Sequence, residues 1–225
     1  MHLIIDADDT LWENNIYFER AIEEFFDFLN HSTLTRAEAR AALNEIERAN
    51  AGAHGYGARA FANALKTCYL HLTERHLDQD EIATVMRFGE RILQQDIELI
   101  PGVSETLQIL SARHELTIFT KGQLEEQQMK IDRSGIADLF NRHEIVSEKN
   151  ETSYLDLIQR ANLDPGQSWM VGNSPKSDIN PALAVGLGAV FIPHQHTWSL
   201  EHSTVDDAGD RLIVIERFNQ LLDHF

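Results

Sequence analysis

Three acids and a threonine crowd behind a short apolar run near the N-terminus, Leu3-Ile4-Ile5-Asp6-Ala7-Asp8-Asp9-Thr10-Leu11. Leu3 to Ile5 reads as a strand buried on both faces. On continued extended backbone Asp6 and Asp8 would share a face, and two like charges that close need a cation or a proton between them. An acidic turn that caps a helix is the plainer reading of the same residues. Further along, Thr120-Lys121-Gly122, Ser147 with Lys149, and Asn173 with Asp178 each follow another apolar run. Together these are the groups phosphoryl chemistry asks for. A carboxylate can attack phosphorus, and a second acid can protonate the leaving oxygen and then deprotonate water. A hydroxyl and an ammonium can hold the oxygens that stay, and a magnesium ion on oxygen ligands offsets carboxylate–phosphate repulsion.

The elements that must position these residues alternate. Leu116–Phe119, His143–Val146, Ser168–Val171 and Ala189–Ile192 read as strands, with Leu212–Ile215 as a short late one before a terminal helix. Helical stretches lie between them, one ending at Gly135 and one with Pro181 in its first turn. Alternating βα units imply a parallel sheet covered on both faces, with every strand end along one edge. Between the first strand and Pro101-Gly102 the pattern is helical only. Stripes run through Ala21, Ile22, Phe25, Phe26 and Leu29, through Ala39, Ala42, Leu43 and Ile46, through Phe61, Leu65, Cys68 and Leu72, and through Ile82, Val85, Met86 and Leu93. Thr35 with Glu38 forms a capping box, and Asp80 is expected to cap the fourth helix. The fold class is therefore α/β, a Rossmann-like parallel sheet flanked by helices with an inserted helical bundle. The expected boundaries are residues 1–13 plus 99–225 for the core and 14–98 for the insert. The glycine-rich break 52–59 between the second and third helices carries Tyr56 and Arg59, an aromatic face and a positive fork. It reads equally as a helix connector or as a specificity loop over the acidic cluster.

Composition narrows the class. The chain has 225 residues, 43% of them hydrophobic, and no low-complexity run, so it is globular. A formal net charge of −17 argues against a nucleic-acid backbone as a general partner and makes an anionic substrate depend on a local cation. No apolar run approaches a bilayer span and no signal-peptide pattern precedes Asp6, so no membrane partner is expected. One cysteine, Cys68, leaves no internal disulfide and suits a cytoplasmic location. A monomer or homodimer is expected.

The chain resembles the haloacid dehalogenase-like (HAD) hydrolase superfamily. Asp6-Ala-Asp8-Asp9-Thr10-Leu11 matches its DxDxT signature, and Thr120, Lys149 and Gly172-Asn-Ser-Pro-Lys-Ser-Asp178 match its second, third and fourth motifs in order. The resemblance implies Asp6 as nucleophile, Asp8 as general acid/base, and Thr120 and Lys149 bracing the phosphoryl group. It further implies magnesium on Asp6, the Asp8 backbone carbonyl and Asp178, with Asn173 beside it, and a C1-type helical cap in the insert. A magnesium-dependent phosphatase acting on a small phosphorylated metabolite through an aspartyl phosphate is the function implied. Thr10, Trp12, Tyr56, Arg59, Lys121 and Gly122 are the candidate substrate contacts, with a solvated loop lysine the plainer reading of Lys121. Asp9 stands where many relatives have glycine, and Asn173 where phosphatase members commonly have an acid. A 2-haloacid dehalogenase-type hydrolase and an idle binding protein of the same fold are the alternatives. Asp8 argues against the former, since a halide leaving group needs no proton. His194-Gln-His196 and His71/His76 lack an acid or cysteine at zinc-like spacing, and with 11 histidines chance pairs are expected.

Overall fold

The computed structural model describes residues 1–205 and 208–225, and of residues 51–54 the backbone only. The chain divides into two compact units, Met1–Asn15 with Ile97–Phe225, and Ile16–Asp96. Among the described residues no helix is long and apolar enough to cross a membrane.

The first unit is a six-stranded sheet of β1 (His2–Ile5), β2 (Glu115–Lys121), β3 (Arg142–Val146), β4 (Ser168–Gly172), β5 (Gly188–Phe191) and β6 (Leu212–Val214). The order is β3-β2-β1-β4-β5-β6 and every pairing is parallel. Leu3, Ile4 and Ile5 are wholly buried, as a strand covered on both faces must be. Leu3 and Ile5 face a layer with Val103, Leu107, Leu110 and Phe218, while Ile4 faces Phe119, Tyr154, Leu157 and Met170. The connecting helices are α5 (Val103–Ser111), α6 (Leu124–Arg133), α7 (Glu151–Ala161) and α8 (Asn180–Ala184). Strand order reverses at β1, with β2 and β3 on one side and β4, β5 and β6 on the other. In open α/β sheets ligands bind beside such a switch point, at the carboxyl ends of the strands. The Ile5↔Ile118 and Ile5↔Val171 registers bring the ends of β2 and β4 level with Asp6.

Punctuation follows sequence chemistry. Gly135 (φ 73°) lies just past α6 and Gly186 (φ 88°) just past α8, in the left-handed conformation that ends helices. The expected terminal helix is instead a 3₁₀ turn, Phe218–Asp223, in which the eclipsed pair Phe218 and Leu221 is buried.

The second unit carries α2 (Arg36–His54), α3 (Ala58–Leu72), α4 (Gln79–Glu90) and nearly all of α1 (Asn15–Leu29) around Phe25, Leu43, Phe61, Leu65 and Val85. The Thr35–Glu38 capping box forms, with Thr35 N–H donating to Glu38 Oε2 and Glu38 N–H to Thr35 Oγ1. Two expectations change. Asp78 rather than Asp80 is the α4 N-cap, because its extended backbone lets the carboxylate accept from the Asp80 N–H. The glycine-rich break shortens to Gly55–Gly57, since α2 continues through Gly52 to His54 and the chain turns only at Gly55 (φ 70°) and Gly57 (φ 115°).

Among the described residues, the helical unit has one buried carboxylate oxygen without a hydrogen bond. Oε2 of Glu47 is buried with no hydrogen-bond partner, and burial pushes the carboxyl up to about 7 despite Arg40. A carboxyl raised in the folded state contributes stability in full below its ordinary pKa and loses it as pH rises toward 7. The expected outcome for Glu47→Gln is therefore a stability gain over wild type that grows between about pH 4.5 and 7 and is flat above, reaching about 1–3 kcal/mol. Urea melts across that range measure it; a gain independent of pH would refute the assignment.

Candidate active site

The sheet's carboxyl edge gathers the charges. Asp6 follows β1, and its N–H continues the ladder to the Val171 carbonyl at 2.9 Å, which fixes its backbone. Its Oδ1 accepts from Lys149 Nζ at 2.5 Å, and its Oδ2 accepts from the Thr10 hydroxyl at 3.0 Å. The same ammonium donates to Asp178 Oδ1 at 2.7 Å and lies 5.5 Å from the centre of the Phe119 ring. Lys149, Asp6 and Asp178 are all buried. One ammonium thus faces two carboxylates. Burial, then the Asp178 charge, pushes the Asp6 carboxyl up to about 7 against the pull of Lys149. Burial lowers the Lys149 ammonium, but Asp178 and Asp6 outweigh it and hold it above its ordinary value.

Asp178 is aimed by its own turn. Pro175–Ile179 forms one π-helical turn, capped by the Ser174 hydroxyl accepting from Ser177 N–H at 2.9 Å. Asp178 Oδ2 accepts from Ser174 N–H at 2.9 Å, and the Tyr154 hydroxyl reaches the carbonyls of Ser177 and Asp178 at 3.1 and 3.3 Å. A Cβ on Gly172 would run into the Asp178 carboxylate, so glycine there is a packing requirement.

Asp8 turns another way. Residues 7–12 close a tight turn, with Leu11 N–H donating to Ala7 O at 2.8 Å, so Asp6 and Asp8 do not continue one extended face as expected. The Asp8 carboxylate accepts from Lys130 Nζ at 2.8 and 2.9 Å, Trp12 Nε1 at 2.7 Å and Gln127 Nε2 at 3.0 Å. Burial would raise this carboxyl; Lys130 and the hydrogen bonds hold it below the ordinary carboxylate range. Asp9 takes φ 61°, a left-handed conformation in which glycine is strain-free. Its Oδ1 accepts from Asn14 and Asn15 N–H at 2.9 and 3.0 Å, which is the capping role open to these acids from sequence. Burial nevertheless pushes its carboxyl up to about 7.

The remaining expected residues fall as follows. Thr120 is buried two residues past the partner of Ile5, its hydroxyl 3.4 Å from Gln127 Oε1. Asn173 Oδ1 lies 3.4 Å from the Thr10 hydroxyl, and Asn173 Nδ2 donates to Thr197 Oγ1 at 3.0 Å. Lys121, read from sequence as a substrate contact or a solvated lysine, is instead largely buried. It pairs with Glu201 at 2.6 Å and Glu148 at 3.4 Å and donates to Ser177 at 3.0 Å. Its charge is thus matched within the protein. Trp12 is wholly buried and serves Asp8. At Gly122 (φ 149°) a Cβ would crowd Gln127, the residue that also holds Asp8. Tyr56 and Arg59 belong to the helical unit, Tyr56 in its Gly55–Gly57 turn and Arg59 in α3.

Sequence reasoning missed Gln127 and Lys130 on α6, and Glu201. The α6 pair had a readable signal, because Gln127 and Lys130 are three apart and so share a helix face. Glu201 had none, since its partner Lys121 lies 80 residues away.

A six-stranded parallel sheet with carboxylates, a lysine and a threonine along its carboxyl edge is a Rossmann-like α/β fold with an ionic cluster where such folds bind ligands. The family model for haloacid dehalogenase-like hydrolases matches residues 1–186, and the chain belongs to that family. Among solved structures, it is similar to a haloacid dehalogenase-like family hydrolase from Xanthomonas campestris, at 28% identity and TM-score 0.85, over 100% of this chain and 93% of that one. It also shares the fold of the HAD-hydrolase YfnB from Bacillus subtilis bound to magnesium (15% identity, TM-score 0.70, 99% and 97% covered). L-2-haloacid dehalogenase from Xanthobacter autotrophicus is a further fold relative (16% identity, TM-score 0.65, 98% and 96% covered). A search of curated proteins returns no match.

The shared ammonium carries a stability consequence. Removing one partner from a buried ionic cluster strands the others, at a cost of about 3–5 kcal/mol. Lys149→Met is expected to cost that much in chemical denaturation, and adding Asp178→Asn should restore part of it. Additive losses in that double-mutant cycle would contradict the cluster.

Proposed function

We propose that the chain is a magnesium-dependent phosphatase acting on a small phosphorylated metabolite through an aspartyl-phosphate intermediate. The observation that carries this reading is Asp8, an acid two residues beyond Asp6 whose carboxylate is fixed by Lys130, Trp12 and Gln127. An ester oxygen leaves as an alkoxide and needs a proton, whereas a halide does not.

Asp6 attacks phosphorus through a carboxylate oxygen, and the phosphorus–ester-oxygen bond breaks. Asp8 delivers its proton to the departing oxygen. It then takes a proton from water as that water attacks the phosphorus of the acyl phosphate, which frees phosphate and restores Asp6. Lys149 and the Thr120 hydroxyl hold phosphoryl oxygens. In this scheme Lys130 has to yield the Asp8 carboxylate so that it can carry a proton.

The residues present fit a hard dication, because two buried carboxylates share one ammonium and the Asp6 carboxyl is driven upward. Asp6, Asp178 and the Asp8 backbone carbonyl would hold magnesium, with Asn173 beside them. The ion supplies charge that offsets repulsion between Asp6 and the phosphoryl group.

Carbon–halogen hydrolysis is the second reading. It is favoured by Asn173, a neutral side chain held by Thr10 and Thr197, and by Lys149, which already bridges Asp6 and Asp178.

Phosphate release from para-nitrophenyl phosphate and halide release from 2-chloropropionate, each with magnesium and with chelator, separate the two. The expected result is magnesium-dependent phosphate release, abolished in Asp6→Asn and slowed about 10²–10⁴-fold in Asp8→Asn. Metal-free halide release without phosphate release would replace this reading with the second.

A further inference from the structure

We propose that Glu201 is a positioning residue: through the hydroxyls of Ser174 and Ser177 it holds the turn that aims Asp178, and so sets how tightly the site takes magnesium. Magnesium enters here on the strength of the phosphatase reading; the link from Glu201 to Asp178 stands without it.

Glu201 closes the 3₁₀ turn Ser199–Glu201 and is buried, yet it takes no part in the chemistry of Asp6 and Asp8. A carboxylate is kept in such a place only where its oxygens are satisfied. Oε1 accepts from Lys121 Nζ at 2.6 Å, and Oε2 accepts from the Ser174 hydroxyl at 2.6 Å and from the Ser177 hydroxyl. Lys121 Nζ also donates to the Ser177 hydroxyl at 3.0 Å, which closes a ring. Burial would raise the Glu201 carboxyl; Lys121 and the two serine hydroxyls hold it below the ordinary carboxylate range. Lys121 ends β2 and the serines follow β4, the strands on either side of β1. One carboxylate thus ties together the two strand ends that flank Asp6.

The polarity of this ring fixes the turn. An ionised carboxylate only accepts, so each serine directs its one hydroxyl hydrogen at Glu201 and keeps its lone pairs for other donors. Ser177 then accepts from Lys121, and Ser174 accepts from Ser177 N–H at 2.9 Å, the bond that caps the π-helical turn Pro175–Ile179. The N–H of the same Ser174 donates to Asp178 Oδ2 at 2.9 Å. Ser174 is therefore the joint between Glu201 and the carboxylate beside Lys149. Tyr154 grips the carbonyls of this turn, and Glu201 grips its hydroxyls. Carboxylates that hold a metal are themselves hydrogen-bonded, and losing such outer partners weakens metal binding about 10–100-fold. A carboxamide at residue 201 would break the ring, because it offers one acceptor oxygen and an NH₂ where three donors converge.

Chelator-stripped chain is titrated calorimetrically with MgCl₂ in wild type, Glu201→Gln, Ser177→Ala and Asn180→Ala. Glu201→Gln and Ser177→Ala should each bind magnesium at least about tenfold more weakly than wild type. Asn180→Ala releases the Thr204 carbonyl, another tether of the same segment, without touching the ring, and should bind as wild type does. Ser177→Ala keeps the Lys121–Glu201 pair, so it stands in throughout for a Glu201→Gln that fails to fold by circular dichroism. Unchanged binding in Ser177→Ala, or an equal loss in Asn180→Ala, overturns the inference. Urea melts in magnesium-free buffer test the link itself. The stability lost in Glu201→Gln/Asp178→Asn should fall short of the sum of the two single losses, and additive losses overturn the link. If wild type takes up no magnesium, the phosphatase reading falls and this cycle alone decides Glu201.

Discussion

The structure depends on one lysine ammonium buried between two carboxylates. Lys149 reaches Asp6 at the end of β1 and Asp178 in the turn beyond β4, two strands that are neighbours in the sheet but more than 160 residues apart in sequence. Burying any of the three alone would be prohibitive, so each constrains where the others stand. The supporting contacts follow from that need. Tyr154 pins the turn carrying Asp178, Gly172 lacks the Cβ that would displace it, and Thr10 holds the free side of Asp6. With both carboxylates ionised the triad carries a net −1, which adds to burial in pushing the Asp6 carboxyl up.

Around this centre the acids divide by partner rather than by position. Asp6, Asp8 and Asp9 are nearly adjacent in sequence, yet they face Lys149, Lys130 and two backbone N–H groups respectively. The turn over residues 7–12 performs the separation. It leaves one carboxylate under upward pressure and another held below its ordinary range within three residues, a pairing of environments that acid–base chemistry exploits.

Much of this was legible in sequence because the signals were local. Apolar runs ending in acids gave β1, and Thr35 with Glu38, Gly135 and Pro181 marked helix ends by the backbone groups they satisfy or cannot supply. Motif order placed Asp6, Thr120, Lys149 and Asp178 on one edge. What stayed hidden depended on pairing across the chain. Lys121 looked solvated because Glu201, 80 residues on, has no sequence relation to it. His194 lacked an acid nearby in sequence, and the acids beside it in the fold are Asp9 and Glu13. Asp78 displaced Asp80 as a cap through backbone conformation, which two equally suitable aspartates do not reveal.

The strand order has a consequence for how the chain is made. β1 sits centrally, yet its neighbours β2 and β4 begin at residues 115 and 168, so the first strand has no partner while the next hundred residues leave the ribosome. The helices of Ile16–Asp96, closed by contacts within a few dozen residues, can assemble during that interval. The bundle can form while the apolar strand is still bare, and only the arrival of β4 lets the sheet close on both sides of it. Slowing elongation between the bundle and residue 172 would prolong the stage at which Leu3–Ile5 stands open to chaperones and to other strands.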